Sequence, residues 1–165
     1  MARGEIERTV QQSVLDRLID NDPRAAADPP TTFVQSARQY KATVRRDIEA
    51  LLNTRRIPEE APDELEELRH SLYHYGLPDI SSMSSDSVHS RTILLQRVEE
   101  TIALFEPRLA DVRVSLTEAV GTAGRELRFI IEGTLRMDPS PEQVVFDTVL
   151  ELSRGEYQVG GATGA

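Results

Sequence analysis

The stretch ILLQRVEETIALFEPRLADVRVSL, residues 93–116, changes its hydrophobic period in the middle. Up to the Phe, apolar residues recur at helical spacing, which indicates an amphipathic helix with one buried face. From Val112 onward, apolar and polar residues alternate, which predicts a half-buried strand. Pro107 separates the two segments, because it lacks an amide donor and disfavours helical geometry in the residue before it. The sequence therefore predicts a helix-to-strand corner that holds Glu106 and Arg108 in fixed directions.

Two further helical segments precede this corner. Residues 1–20 contain a short amphipathic helix, and at this length it needs a partner to bury its apolar face, either another protein or its own domain. Residues 21–32 contain three prolines and form a linker, because proline excludes helix and keeps the chain extended. Residues 33–54 form the second helix, which opens the main domain, 33–159. The apolar face of the first helix consists of Val10, Val14, Leu15 and Leu18.

Strand-like alternation continues after the corner, in segments separated by Gly-rich or Pro-rich turns. We predict three strands and a disordered Gly-rich tail at residues 160–165. The resulting fold class is α+β, with N-terminal helices packed on a three-stranded antiparallel β-meander in two layers. The two edges of such a meander carry unpaired backbone groups, which can accept a strand from a partner.

The composition excludes several classes of function. The 19 basic and 28 acidic residues give a net charge of −9, which disfavours nucleic acid as a partner. The absence of cysteine excludes disulfides, thiolate metal sites and a Cys nucleophile. We find neither a signal peptide nor a membrane span, and we expect a cytoplasmic protein that does not insert directly into the membrane.

Possible catalytic and metal sites are weak in this sequence. His70 and His74 have a metal-ligand spacing on a helix, but no HExxH pattern accompanies them. Glu106 and Asp111 could form the carboxylate pair of a glycosidase, although a Glu held by a neighbouring Arg is a poor general acid. No Gly-rich phosphate loop or nucleophile elbow is present. We therefore predict a protein without enzymatic activity and without a cofactor or metal.

A basic cluster at the end of the second helix is a weaker candidate for binding. Arg55 and Arg56 follow Asn53, at a helix end where cations are favoured by the helix dipole. Together these residues could contact an acidic partner, and the alternative is that they serve only the helix end.

Several motifs in the same order resemble one known family. They are VRRDIEALLNTRR at 44–56, the Y-G-L-P-D turn at 75–79 and LFEPRLADVRVSL at 104–116. Together they resemble the TssE baseplate wedge subunits of bacterial type VI secretion systems, which are related to the gene-25 wedge proteins of contractile phage tails. This resemblance covers most of the chain.

The resemblance implies a structural role in a cytoplasmic baseplate. Such a subunit is expected to join the baseplate subunits TssF, TssG and TssK to the contractile sheath of TssB and TssC, and to start sheath polymerisation by strand exchange. By the family pattern, Glu106, Pro107 and Arg108 contact the sheath, and the N-terminal helix packs against TssF and TssG.

Two alternatives stay open at this point. One is a peptidoglycan-cleaving enzyme of the lysozyme type, which the missing signal peptide and the low aromatic content disfavour. The other is an adaptor that uses only its N-terminal helix.

Overall fold

The computed structural model describes residues 9–19, 23–24, 30–59, 61–62, 64–79, 87–117 and 126–164. These residues form helices on one side and a single sheet on the other, so the predicted α+β class is confirmed. The α-helices are α1 Val14–Leu18, α2 Phe33–Asn53 and α3 Val88–Phe105, with 3-10 turns at Glu66–His70 and Leu72–His74. The strands are β1 Leu109–Leu116, β2 Glu126–Leu135, β3 Glu142–Glu151 and β4 Glu156–Gly164.

The sheet has four antiparallel strands in the order β1-β2-β3-β4, where we had predicted three. The extra strand is β4, and its pairing with β3 extends from Glu156 opposite Glu151 to Gly164 opposite Val144. The prediction of a disordered tail from residue 160 was therefore wrong. An added Cβ at Gly160 would lie 2.8 Å from the carbonyl oxygen of Asp147, so the absence of a side chain permits this pairing.

The long helices pack on one face of the sheet, α2 beside β4 and α3 beside β1. A capping box fixes the start of α2, with Thr32 and Gln35 exchanging side-chain and backbone hydrogen bonds. The apolar faces of the two helices meet the inner face of the sheet in one core. Its largest fully buried side chains are Phe129, Phe146, Ile48, Ile102, Ile131, Leu135 and Leu150.

The N-terminal segment differs from the predicted helix. Residues 9–13 are not helical, and α1 begins only after Ser13, whose side chain accepts a hydrogen bond from the amide of Asp16. The extended part lies on α2, where the amide of Val10 donates to the Ser36 hydroxyl oxygen at 3.0 Å. Residues 1–8, the start of the predicted helix, and most of the predicted linker lie outside the described residues.

The Y-G-L-P-D turn is fixed against the end of α2. Leu77 donates its amide hydrogen to the carbonyl of Thr54 at 2.9 Å and accepts from the amide of Arg56 at 2.8 Å. Gly76 has φ of +102°, and a Cβ there would lie 2.3 Å from the Thr54 carbonyl oxygen. Only glycine meets both requirements, so this motif serves the junction between the turn and α2.

Candidate functional site: the Glu-Pro-Arg corner

The corner between α3 and β1 is built on a forked contact between Glu106 and Arg108. Arg108 donates from Nε to Glu106 Oε1 at 2.6 Å and from Nη2 to Oε2, which is the bidentate geometry of strong Arg–carboxylate pairs. The Arg108 amide also donates to Oε1, at 3.3 Å. Glu106 is only 4% exposed, so its carboxylate depends on these contacts for its charge compensation.

Arg108 also joins the corner to α2. Its Nη2 donates to Asp47 Oδ2 at 2.6 Å, and its guanidinium carbon lies 6.0 Å from the centre of the Tyr40 ring. Burial alone would lower the pKa of Arg108, but the hydrogen bonds to Glu106 and then to Asp47 outweigh it and raise the pKa above its ordinary value. The cation is therefore a permanent tie between helix α2 and the first residues of β1.

The same network extends from the corner to α1. Arg46 donates from Nη2 to Asp47 Oδ1 at 2.7 Å and to Asp16 Oδ1 at 3.0 Å. Asp16 also accepts from the hydroxyl of Ser13. Burial alone would raise the pKa of Asp16, but the hydrogen bonds from Ser13 and Arg46 outweigh it and lower the pKa. One continuous row of charged groups thus connects the N-terminal segment to the corner.

The described residues give the alternative chemistries no support. The Glu106 carboxylate is ion-paired inside the protein, whereas Asp111 is exposed in a β-bulge with φ of +52°. His70 and His74 lie in separate 3-10 turns and share no helix face. Among the described residues, no three His, Cys, Asp or Glu side chains lie close enough together to hold a metal.

The predicted apolar surface of the N-terminal segment is present in part. Val14, Leu15 and Leu18 are 73%, 63% and 76% exposed. Val10 is only 6% exposed and belongs to the core, so its prediction as an interface residue was wrong. The helical period had placed it on the face of Val14, but an extended backbone turns it towards α2 instead.

The three residues of the predicted basic cluster at the end of α2 make different contacts. Both ends of the Asn53 amide bind the backbone of Tyr157 in β4, so its side chain already holds the end of α2 to the sheet. Contact of Asn53 with an acidic partner stays a prediction. Arg55 is exposed and lies 3.5 Å from Asp79. Arg56 lies with Nη1 3.5 Å from the Nδ1 atom of His74. Contact of the two arginines with an acidic partner stays a prediction.

Sequence patterns missed four residues of the corner network. Asp47 and Arg46 lay inside a quoted motif, but the contact between Asp47 and Arg108 spans 61 positions of sequence. Asp16 and Ser13 lay in the predicted N-terminal helix, and no contact was predicted for them there. No local period or spacing reports contacts of this kind.

The comparisons with known proteins agree with this architecture. The family model described as baseplate wedge protein gp25 matches residues 38–140, which run from α2 to the turn before β3. A search of curated proteins found no match. In the described part of the chain, no helix has the length and apolar character needed to cross a bilayer. The match covers more than half of the 165 residues and includes the whole corner, so the chain belongs to the gp25 baseplate wedge family, whose members are structural parts of phage-tail-like baseplates.

Proposed function

We propose that the chain is a TssE-type wedge subunit of a type VI secretion baseplate in the cytoplasm. It links the baseplate subunits TssF, TssG and TssK to the TssB–TssC sheath and starts sheath polymerisation by strand exchange. Membership of the wedge family supports a role among baseplate and tail components. The observation that carries the finer proposal is the corner itself, because Arg108 holds the start of an edge strand against α2.

The corner acts mainly by position in this proposal. Leu109 donates its amide hydrogen to the carbonyl of Glu106 at 3.1 Å, and the amide of Arg136 donates to the carbonyl of Arg108 at 2.8 Å. Together with the ion pairs, these bonds set the direction in which β1 leaves the corner. Pro107 is the exposed member and is the residue that we assign to direct sheath contact, while Glu106 and Arg108 fix its position.

The baseplate side of the proposal rests on α1. Val14, Leu15 and Leu18 form an exposed apolar face, and Asp16 anchors the same helix to α2 through Arg46. We assign this face to the TssF–TssG contact, since burying three large apolar side chains contributes about 1.5–3 kcal/mol each. We assign Arg55, which follows the C-terminal end of α2, to a contact with an acidic residue of a partner protein.

The sheath part can be tested in a bacterium that carries a fluorescent TssB. We expect Arg108→Ala to reduce sheath foci strongly and Arg108→Lys to rescue them only in part, because lysine cannot reproduce the forked contact. Arg128→Ala is the matched control, since Arg128 pairs with Glu126 on the exposed side of β2. Foci must be compared at equal levels of soluble protein, because Arg108 also contributes to folding. Normal sheath foci in Arg108→Ala at equal protein level contradict the proposal.

The baseplate part needs a separate variant. We expect Leu15→Ser with Leu18→Ser to lose co-purification with TssF and TssG, while binding to purified TssB–TssC persists. Unchanged co-purification with TssF and TssG contradicts the assignment of α1.

A further inference from the structure

The two edges of the sheet differ in how many of their outward backbone groups already have partners. In an antiparallel sheet, alternate residues of an edge strand direct both their N–H and C=O groups away from the neighbouring strand. The register places Tyr157 and Val159 outward on β4, and Val114 and Leu116 outward on β1. In these parts of the two edges, two residues therefore offer four backbone groups on each strand, which allows a direct comparison.

On β4, side chains of α2 bind all four groups. Asn53 accepts from the Tyr157 amide through Oδ1 and donates to the Tyr157 carbonyl through Nδ2, both at 2.8 Å. Glu49 Oε2 accepts from the amide of Val159, and Arg45 Nη1 donates to its carbonyl, both at 3.0 Å. The three side chains are four positions apart on one helix face. They supply the donors and acceptors that a fifth strand would supply.

On β1, only one of the four groups is bound within the described residues. The amide of Val114 donates to Glu99 Oε2 of α3 at 3.0 Å. The Val114 carbonyl and both backbone groups of Leu116 have no hydrogen bond to another described residue. The Leu116 side chain is exposed as well, so this end of the edge offers both backbone groups and apolar surface.

We propose that Arg45, Glu49 and Asn53 close the β4 edge at Tyr157 and Val159, and that a partner strand adds to the β1 edge at Val114 and Leu116. The proposal rests on the proposed function, of which it names the acceptor strand. The partner is an extended segment of a sheath subunit with an apolar side chain against Leu116. Its backbone carbonyl replaces Glu99 as the acceptor for the Val114 amide. The closed part of the β4 edge also prevents the same strand, or a second copy of this chain, from pairing at Tyr157 and Val159.

Because the chain contains no cysteine, single cysteines can report on each edge. Ser115→Cys and Gln158→Cys each place a thiol on an exposed residue of an edge strand. Each variant is labelled with a photoreactive maleimide, mixed with purified TssB–TssC and irradiated. We expect the yield of crosslinked sheath subunit from position 115 to exceed that from 158 by at least roughly tenfold, equivalent to about 1.4 kcal/mol.

A second experiment removes side chains of α2 that bind the β4 edge. Glu49→Ala with Asn53→Ala, introduced beside Gln158→Cys, removes three of the four hydrogen bonds on β4. We expect the crosslink yield from position 158 to rise roughly tenfold, because backbone groups without partners become available to a strand. If the crosslink yield from position 158 does not rise, the proposal that α2 side chains close the β4 edge is overturned.

The outcomes separate this inference from the function on which it rests. Crosslinking from position 158 but not from 115 overturns the choice of edge. Sheath binding in a pull-down without a crosslink from position 115 also overturns it and leaves the proposed function standing. Failure of the unsubstituted protein to bind TssB–TssC overturns both.

Discussion

The Glu-Pro-Arg corner and α1 were both predicted as interfaces, and the protein builds them in opposite ways. At the corner, Glu106 and Arg108 are largely buried and are paired with each other and with Asp47. On α1, Leu15 and Leu18 are exposed and carry no charge that needs a partner. A charged motif can thus serve an interface by holding other residues in place, while exposed apolar residues supply contact area.

This difference also decides what a substitution does to stability. Removing one partner of a buried ion pair leaves the other charge desolvated and unpaired, and this strongly destabilises the fold. Replacing both partners by apolar residues costs far less, because no unpaired charge is left. An exposed apolar side chain loses little when it becomes polar, because the folded and unfolded chains both leave it in water. Substitutions at the two places should therefore separate folding from binding.

Arg108→Ala should have the largest effect. It leaves Glu106, at 4% exposure, without its cation, and we expect a loss of about 3–5 kcal/mol in the free energy of unfolding. Urea unfolding followed by circular dichroism measures it, with Arg128→Ala as the exposed control. A loss below about 1 kcal/mol, the level of a surface ion pair, would mean that the corner is not a buried clamp.

Gly133→Ala tests the packing next to the corner. A Cβ on Gly133 would lie 2.8 Å from Leu109 Cγ and 3.1 Å from the Ala110 carbonyl oxygen, so β1 must shift. We expect a destabilisation of about 1–3 kcal/mol, as in other overpacked cores. Gly161→Ala is the matched control, because no atom lies within 4 Å of the added carbon. Equal unfolding midpoints for the two variants would show that β1 can shift at the corner without loss of stability.

Asp16→Asn tests the link between the corner network and α1. The pKa of Asp16 is lowered below 3.8 in the folded protein, so its contribution to stability is complete above 3.8 and is lost as the pH falls through the folded value. We expect the free energy of unfolding of the natural chain to exceed that of the Asp16→Asn variant by up to about 1 kcal/mol at pH 7. This difference should shrink below pH 3.8.

The measurement is the free energy of unfolding of both chains as a function of pH. Glu132→Gln, at an exposed residue of β2, removes the same charge without touching the network and serves as control. A difference in stability between the natural chain and the Asp16→Asn variant that does not change with pH would contradict the link.

The smallest effect on stability is expected on α1. Val14→Ser, Leu15→Ser and Leu18→Ser together should change the free energy of unfolding by no more than about 0.5 kcal/mol per residue, the range of ordinary surface substitutions. The same variant should no longer bind TssF and TssG. A large loss of stability would show that these side chains are covered within the chain.

Local patterns predicted much of this fold. Periods of 3.6 and 2 located α2, α3 and β1, and Pro107 located the corner, because each depends on neighbours within a few residues. The strand β4 was missed because its Gly-Gly segment has no alternating side chains, and its strand conformation depends on pairing with the distant β3 and on contacts with α2. Val10 was misplaced because helical period was extended over residues that are not helical.

The site was predictable in identity but not in role. The sequence indicated that Glu106 and Arg108 matter together, but burial and the contact with Asp47 follow from where α2 lies relative to the corner. Likewise, Asn53 looked like a free polar group at a helix end, and its contact with Tyr157 spans 104 positions. Contacts over such separations depend on the complete fold.

A double-mutant cycle between Glu106 and Arg108 tests the central claim, that the corner is an internal clamp, most directly. The free energies of unfolding of Glu106→Gln, Arg108→Gln and the double variant are compared with that of the natural chain. For a buried pair, the double variant should cost at least about 1 kcal/mol less than the sum of the single variants, because it leaves no unpaired charge. Additive losses, with no coupling energy, would contradict the account.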